Sequence, residues 1–107
     1  MGINRFEVFL VKLGPTIGSE ITKTRPCVII SPDSMNKYLS TVLIAPLTST
    51  IRNYLTCLNC IFENKEGQIA LDKIRAVDKV RLVKKIGEFD ESFNLNICKK
   101  LEIMFQY

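Results

Sequence analysis

Histidine is absent from this 107-residue chain. It is the one side chain that titrates near neutrality unperturbed, and the commonest metal ligand. Any acid–base chemistry here therefore falls to Arg, Lys, Tyr, Cys or a carboxylate. A long hydrophobic run is also lacking. The N-terminal MGINRFEVFLVKLGP is broken by Lys12 and Pro15 and serves neither as a signal peptide nor as a membrane span. The expectation is a cytoplasmic protein with no membrane contact. Repeats, linkers and low-complexity stretches are missing too, so residues 1–107 are expected to form a single domain.

Hydrophobic residues make up 47% of the chain and charged ones 24%, a balance that folds rather than stays disordered. The net charge of +4 is compatible with a polyanion partner without being diagnostic of one. Four cysteines raise the question of a metal or disulfide framework. Cys57 and Cys60 have C-x-x-C spacing, but they lie in YLTCLNCIF, which reads as a strand. Residues three apart on a strand point to opposite faces. A zinc ribbon also needs a second pair, and Cys27 and Cys98 stand alone. No metal is expected, and the cysteines are read as free, packed thiols.

Short strands succeed one another along the chain. Arg5 to Leu13 is rich in Phe and Val and ends at Gly14-Pro15. A polar loop, Thr16 to Thr24, leads through Arg25-Pro26 into Cys27 to Ile30, apolar on both faces and therefore a central strand. Asp33-Ser34 offers a cap for a short helix over Met35 to Leu39. Thr41 to Leu47 is the third strand, with Pro46 marking an edge or bulge. Tyr54 to Phe62 and Gln68 to Leu71 form a hairpin whose loop ends on Gly67, read as a positive-φ position. Val80 to Gly87 adds one more strand. Asp90 then opens an amphipathic helix with Phe93, Ile97, Leu101 and Met104 or Phe105 on one face. Five or six strands and one terminal helix make a mainly β (α+β) fold, a small half-open barrel with a helix packed on it.

Two stretches place polar groups where an apolar strand meets a turn: Gly18 to Ser31, and Ala45-Pro46-Leu47-Thr48-Ser49. Together with Arg5-Phe6-Glu7-Val8, Leu13-Gly14-Pro15-Thr16-Ile17-Gly18-Ser19-Glu20, the segment Gly67 to Lys79, and Arg81-Leu82, they closely resemble the ordered motifs of the MazF/PemK family of toxin ribonucleases. The resemblance covers essentially the whole chain. It implies an SH3-like barrel with a C-terminal helix, a homodimer, metal-independent and cofactor-free cleavage of single-stranded RNA at short sequences, and neutralisation by a cognate MazE-like antitoxin. The arginine of its T-R-P segment corresponds to Arg25 and the threonine of its L-T-S segment to Thr48, the catalytic pair of the MazF-like branch. The PemK-like branch has an Arg-x-Asp pair where this chain reads Ala70-Leu71-Asp72, which favours the first branch.

The chemistry suits those residue types. Internal RNA cleavage needs the neighbouring 2′-OH as nucleophile, a proton acceptor, a clamp on the phosphorane oxygens and a proton for the leaving 5′-oxygen. A guanidinium clamps a phosphate bidentately, the role expected of Arg25. Thr48 and Ser49 would add hydroxyl contacts, with Ser19, Glu20 and Lys23 in the loop and Arg75 beyond it as further substrate contacts. The plainer alternatives are an ion pair of Arg25 with Glu20 or Glu7, and a strand-ending turn at Thr48-Ser49. Asp72 has two readings: a turn or salt bridge with Arg75 or Lys73, or a role in binding the base or orienting Arg25. Tyr54 is a candidate stacking platform. Two other functions share such a barrel: a gyrase-poisoning toxin and a non-catalytic RNA-binding module.

Overall fold

The computed structural model describes residues 2–14 and 23–107. The elements are β1 (Glu7–Lys12), β2 (Thr24–Ile29), α1 (Asp33–Tyr38), β3 (Thr41–Thr48), β4 (Cys57–Phe62), β5 (Lys65–Ala70), β6 (Arg75–Asp78), β7 (Leu82–Glu88) and α2 (Glu91–Met104), with 3-10 turns at Leu71–Lys73 and Lys79–Arg81. Every ladder is antiparallel. The strands run β4-β5-β3-β2-β1-β7 across one curled sheet, and β6 joins β3 off that path. The ends of the path, β4 and β7, do not pair, so the barrel stays half open.

Both faces of β2 are covered, as its continuous apolar run requires. Val8, Val28, Ala45, Leu47, Ile69 and Leu71 face the hollow of the sheet, where Ile97 of α2 closes over them. Phe9, Val11, Cys27, Ile29, Val42, Ile44, Val77 and Leu82 form a second cluster on the other face. α2 starts where the sequence says it should. The Asp90 carboxylate accepts from Phe93 N–H at 2.9 Å and Ser92 Oγ at 2.8 Å, satisfying a backbone donor that the helix itself leaves free. Ile97 is fully buried, with Phe93, Leu101 and Met104 packed alongside, whereas Phe105 is exposed. Phe62, Phe89 and Phe93 stack in sequence at centroid separations of 5.6 and 4.5 Å and tie the helix start to β4.

Four local expectations are corrected. Gly67 is not a turn residue. The β4–β5 hairpin turns at Glu63 and Asn64, both at positive φ (52° and 63°), while Gly67 sits inside β5 opposite Cys60. Pro46 is not at an edge, because it pairs with Cys27 of β2. On its other side β3 pairs with β6 through Thr41–Ile44 and with β5 only from Leu47, so Pro46, lacking an N–H, falls in the gap between those partners. Asp33 does not cap α1 from outside. It is the first helical residue, and its Oδ1 accepts from Arg5 N–H at 2.7 Å. Finally, the strand expected from Tyr54 begins only at Cys57, leaving 51–54 irregular.

Candidate active site

The site grows out of strand register. Cys27 stands opposite Pro46 where the β2–β3 ladder ends, and beyond it Arg25 of β2 and Thr48 of β3 line one cleft. Thr48 pairs with Gln68, and Gln68 with Asn59. A polar row thus crosses β2, β3, β5 and β4 at the end of the face whose other end is the apolar cluster around Cys27. Above it opens a cleft of about 390 Å³ whose walls include Arg25, Thr48, Arg52, Tyr54, Gln68, Asp72 and Lys73.

Arg25 is exposed and held in the first half of β2, its backbone direction fixed by Pro26 behind it. The ion pairs among the described residues are those of Lys85 with Glu7, at 2.8 Å, and with Glu88. Of the two carboxylates considered as plainer partners for Arg25, Glu7 is taken by Lys85 from the neighbouring β7 and Glu20 lies outside the described residues. Arg25, Arg52 and Lys73 line the same cleft with no carboxylate paired to them among the described residues. Unpaired cations converging on one cleft repel each other unless an anion occupies it.

Thr48 has the strand-ending turn as well as the cleft position. Its Oγ1 accepts from Thr50 N–H at 3.1 Å, which orients the hydroxyl and leaves its own proton to donate. Ser49 points to a second cleft, on the far side of β3 with Leu47 and Phe62, which Thr48 also borders. Asp72 does not form the salt bridge considered for it with Arg75 or Lys73; its Oδ1 lies 4.0 Å from Cys57 Sγ, which donates to it. Arg75 lies outside the Arg25 cleft and flanks Cys27. Burial pushes the Cys27 thiol up to about 12, against the opposing charges of Arg25 and Arg75. Cys27 is thus a buried, protonated thiol packed in the core. Lys23 is exposed just ahead of β2, its carbonyl accepting from Leu13 N–H at 2.8 Å. Arg81 donates to the Lys12 and Gly14 carbonyls. Ser19 and Glu20 lie outside the described residues.

Gln68 and Arg52 escaped the sequence reading. Gln68 is buried, and its amide accepts from Arg52 N–H at 3.0 Å and donates to Arg52 O at 2.9 Å and to Asn59 Oδ1 at 2.8 Å. The available signal was a lone polar side chain at the head of the apolar run Ile69-Ala70-Leu71. The C-x-x-C pair splits as strand geometry demands: Cys57 lines the Arg25 cleft, and Cys60 turns into the core. No group of three or more His, Cys, Asp or Glu placed to share a metal ion occurs among the described residues, and none of their helices is long and apolar enough to cross a membrane.

Known proteins are similar to this chain over most of its length. An endoribonuclease MazF of Staphylococcus epidermidis is 36% identical over 107 residues, spanning 94% of this chain and 89% of that protein. The MazE–MazF crystal structure (Form-II) from Deinococcus radiodurans superposes with a TM-score of 0.82 at 18% identity, over 97% of this chain and 96% of its counterpart. The Mycobacterium tuberculosis toxin MazF-mt6 does so at 0.77 and 20%, over 92% and 95%. Residues 4–105 match the family described as PemK-like, MazF-like toxin of type II toxin-antitoxin system, and the chain belongs to that family.

Proposed function

We propose that this protein is an endoribonuclease toxin that cleaves single-stranded RNA at short sequences, without metal, and is neutralised by a cognate MazE-like antitoxin. The observation that carries this reading is that Arg25 and Thr48 line one cleft with Arg52 and Lys73, cations that have no carboxylate partner among the described residues. The 36% identity to an endoribonuclease MazF supports the same reaction class.

In the reaction the ribose 2′-oxygen loses its proton and attacks the adjacent phosphorus. The P–O5′ bond breaks, the 5′-oxygen takes up a proton, and the products are a 2′,3′-cyclic phosphate and a 5′-hydroxyl. Negative charge builds on the non-bridging oxygens, where the Arg25 fork and the Thr48 hydroxyl donate. A preorganised donor aimed at such charge contributes about 3 kcal/mol to the barrier reduction. Asp72, on the wall of the same cleft, is the carboxylate among the described cleft residues that would accept a proton or hold Arg25. The antitoxin would set acidic side chains against the same cations, and the active species would be a homodimer.

The test separates cleavage from binding. Thr48→Ala is expected to lose RNA cleavage by about two orders of magnitude while still retaining RNA in a gel shift. Cleavage at the wild-type rate by this variant would reduce the protein to a barrel whose site lies elsewhere.

A further inference from the structure

The connection from β3 to β4, residues 49–56, contains neither strand nor helix, yet it carries Ile51, Tyr54 and Leu55, which are 61%, 56% and 80% exposed. Large apolar side chains clustered on an exposed connection mark a contact surface. The connection is also held fast. Gln68, only 3% exposed, brackets Arg52 by accepting from its N–H and donating to its carbonyl. One side chain thereby imitates the two-way pairing that a neighbouring strand would supply, and its remaining N–H is fixed by Asn59. The far end is closed by Cys57 N–H donating to Tyr54 O at 3.1 Å. The Arg52 guanidinium lies 6.0 Å from the centroid of the Tyr54 ring, and both side chains border the cleft that holds Arg25 and Thr48.

We infer that Arg52 and Tyr54 form a nucleotide subsite beside the scissile phosphate, and that Gln68 is the residue that positions it. The inference rests on the ribonuclease reading above. Arg52, with no carboxylate partner among the described residues, takes the flanking phosphate. Tyr54 takes the face of the adjacent base, which is free to stack only when the strand is unpaired. Gln68 touches neither group of the RNA and acts by holding the Arg52 backbone. The bond it makes is to main chain, so the role belongs to the Gln68 amide.

The experiment has two readouts. Steady-state cleavage of a short fluorogenic single-stranded RNA separates KM from kcat, and fluorescence anisotropy of the same RNA on an Arg25→Ala background reads binding alone. Gln68→Met keeps volume and apolar packing but removes the bracket. It is expected to raise KM and Kd about tenfold while kcat moves by less than about threefold. Arg52→Ala and Tyr54→Ala follow the same pattern, Tyr54→Phe recovers what Tyr54→Ala loses, and Gln68→Met with Arg52→Ala is no worse than the weaker single variant. Unchanged KM and Kd in Gln68→Met, or a loss confined to kcat or to Tm, overturns the inference. Should Gln68→Met fail to fold, unchanged KM and Kd in the surface variants Arg52→Ala and Tyr54→Ala overturn it equally. Wild-type protein that binds this RNA through Arg52 and Tyr54 without cutting it would sink the ribonuclease reading and leave the subsite standing.

Discussion

Gly67 of β5 lies against the main chain of Thr48: a Cβ at position 67 would fall 2.6 Å from the Thr48 carbonyl oxygen. Real Cβ atoms do not approach a carbonyl so closely, so Gly67→Ala must push β3 away just where it delivers Thr48 to the cleft. Overpacking of this kind costs about 1–3 kcal/mol. A shift of an ångström at a reacting group costs about a hundredfold in rate. Gly67→Ala is therefore expected to lower RNA cleavage far more than its modest fall in Tm accounts for. Assay of folded, size-purified variant at a temperature well below its Tm checks this, and wild-type turnover there would show that β3 has room to spare.

The Thr48 hydroxyl both accepts from Thr50 N–H and faces the cleft. Thr48→Ser keeps both functions and is expected to retain cleavage within about tenfold, whereas Thr48→Ala loses about a hundredfold or more. Side-by-side initial rates decide it. Equal losses in the two variants would mean that the methyl group and its packing matter, and the hydroxyl does not.

Acid stability should depend on Glu7. Burial works against its ionisation, but hydrogen bonds from Lys85 and from the Asn4 N–H, with the charge of Lys85, hold its carboxyl below the ordinary value of 4.5. A carboxyl that ionises more readily in the folded chain favours folding above its unfolded pKa, and that contribution disappears as pH falls through the folded value. Lys85 has the opposite sense: hydrogen bonds to Glu7 and Glu88 raise it above 10.5, so its contribution is present below that value and is lost as pH rises through the folded one. Tm is thus expected to fall on acidification below about pH 4.5 more steeply in the wild type than in Glu7→Gln. Parallel Tm–pH curves for the two proteins would refute the pairing.

Thiol reactivity should divide the cysteines two and two. Cys27 and Cys60 are buried, and burial pushes both thiols up. Cys57 and Cys98 are half-exposed. Ellman titration of native protein at about pH 8 is expected to modify Cys57 and Cys98, with the other two reacting only in denaturant. Because Cys57 borders the cleft, a bulky adduct there should block RNA cleavage, and Cys57→Ala should remove that sensitivity. Rapid reaction of all four thiols would mean that the sheet opens far more readily than its packing implies.

Much of the architecture is legible in the chain because it is written in local patterns. The two-faced apolar run at Cys27 to Ile30 announced a central strand, and Asp90 with Phe93, Ile97 and Leu101 announced a capped helix with one buried stripe. The misreadings share a cause. Gly67 resembles a turn residue, but its requirement comes from Thr48, a neighbour in space rather than in sequence. Pro46 resembles an edge marker, but it sits in a gap left by two partners of β3 that only the folded topology defines. Motif resemblance points to Arg25 and Thr48, whereas the Gln68–Arg52 bracket carries no motif and joins residues 16 apart. Hydrogen bonds of a buried side chain to a distant main chain leave no periodic trace in sequence.

The most direct test of the ribonuclease account is incubation of purified protein with a long unstructured RNA in EDTA, beside Arg25→Ala, with cut positions mapped by primer extension and fragment ends weighed by mass spectrometry. The account predicts discrete cuts bearing 2′,3′-cyclic phosphate and 5′-hydroxyl ends, all missing in Arg25→Ala. Cuts that persist in that variant, cuts that vanish in EDTA, or intact RNA would contradict it.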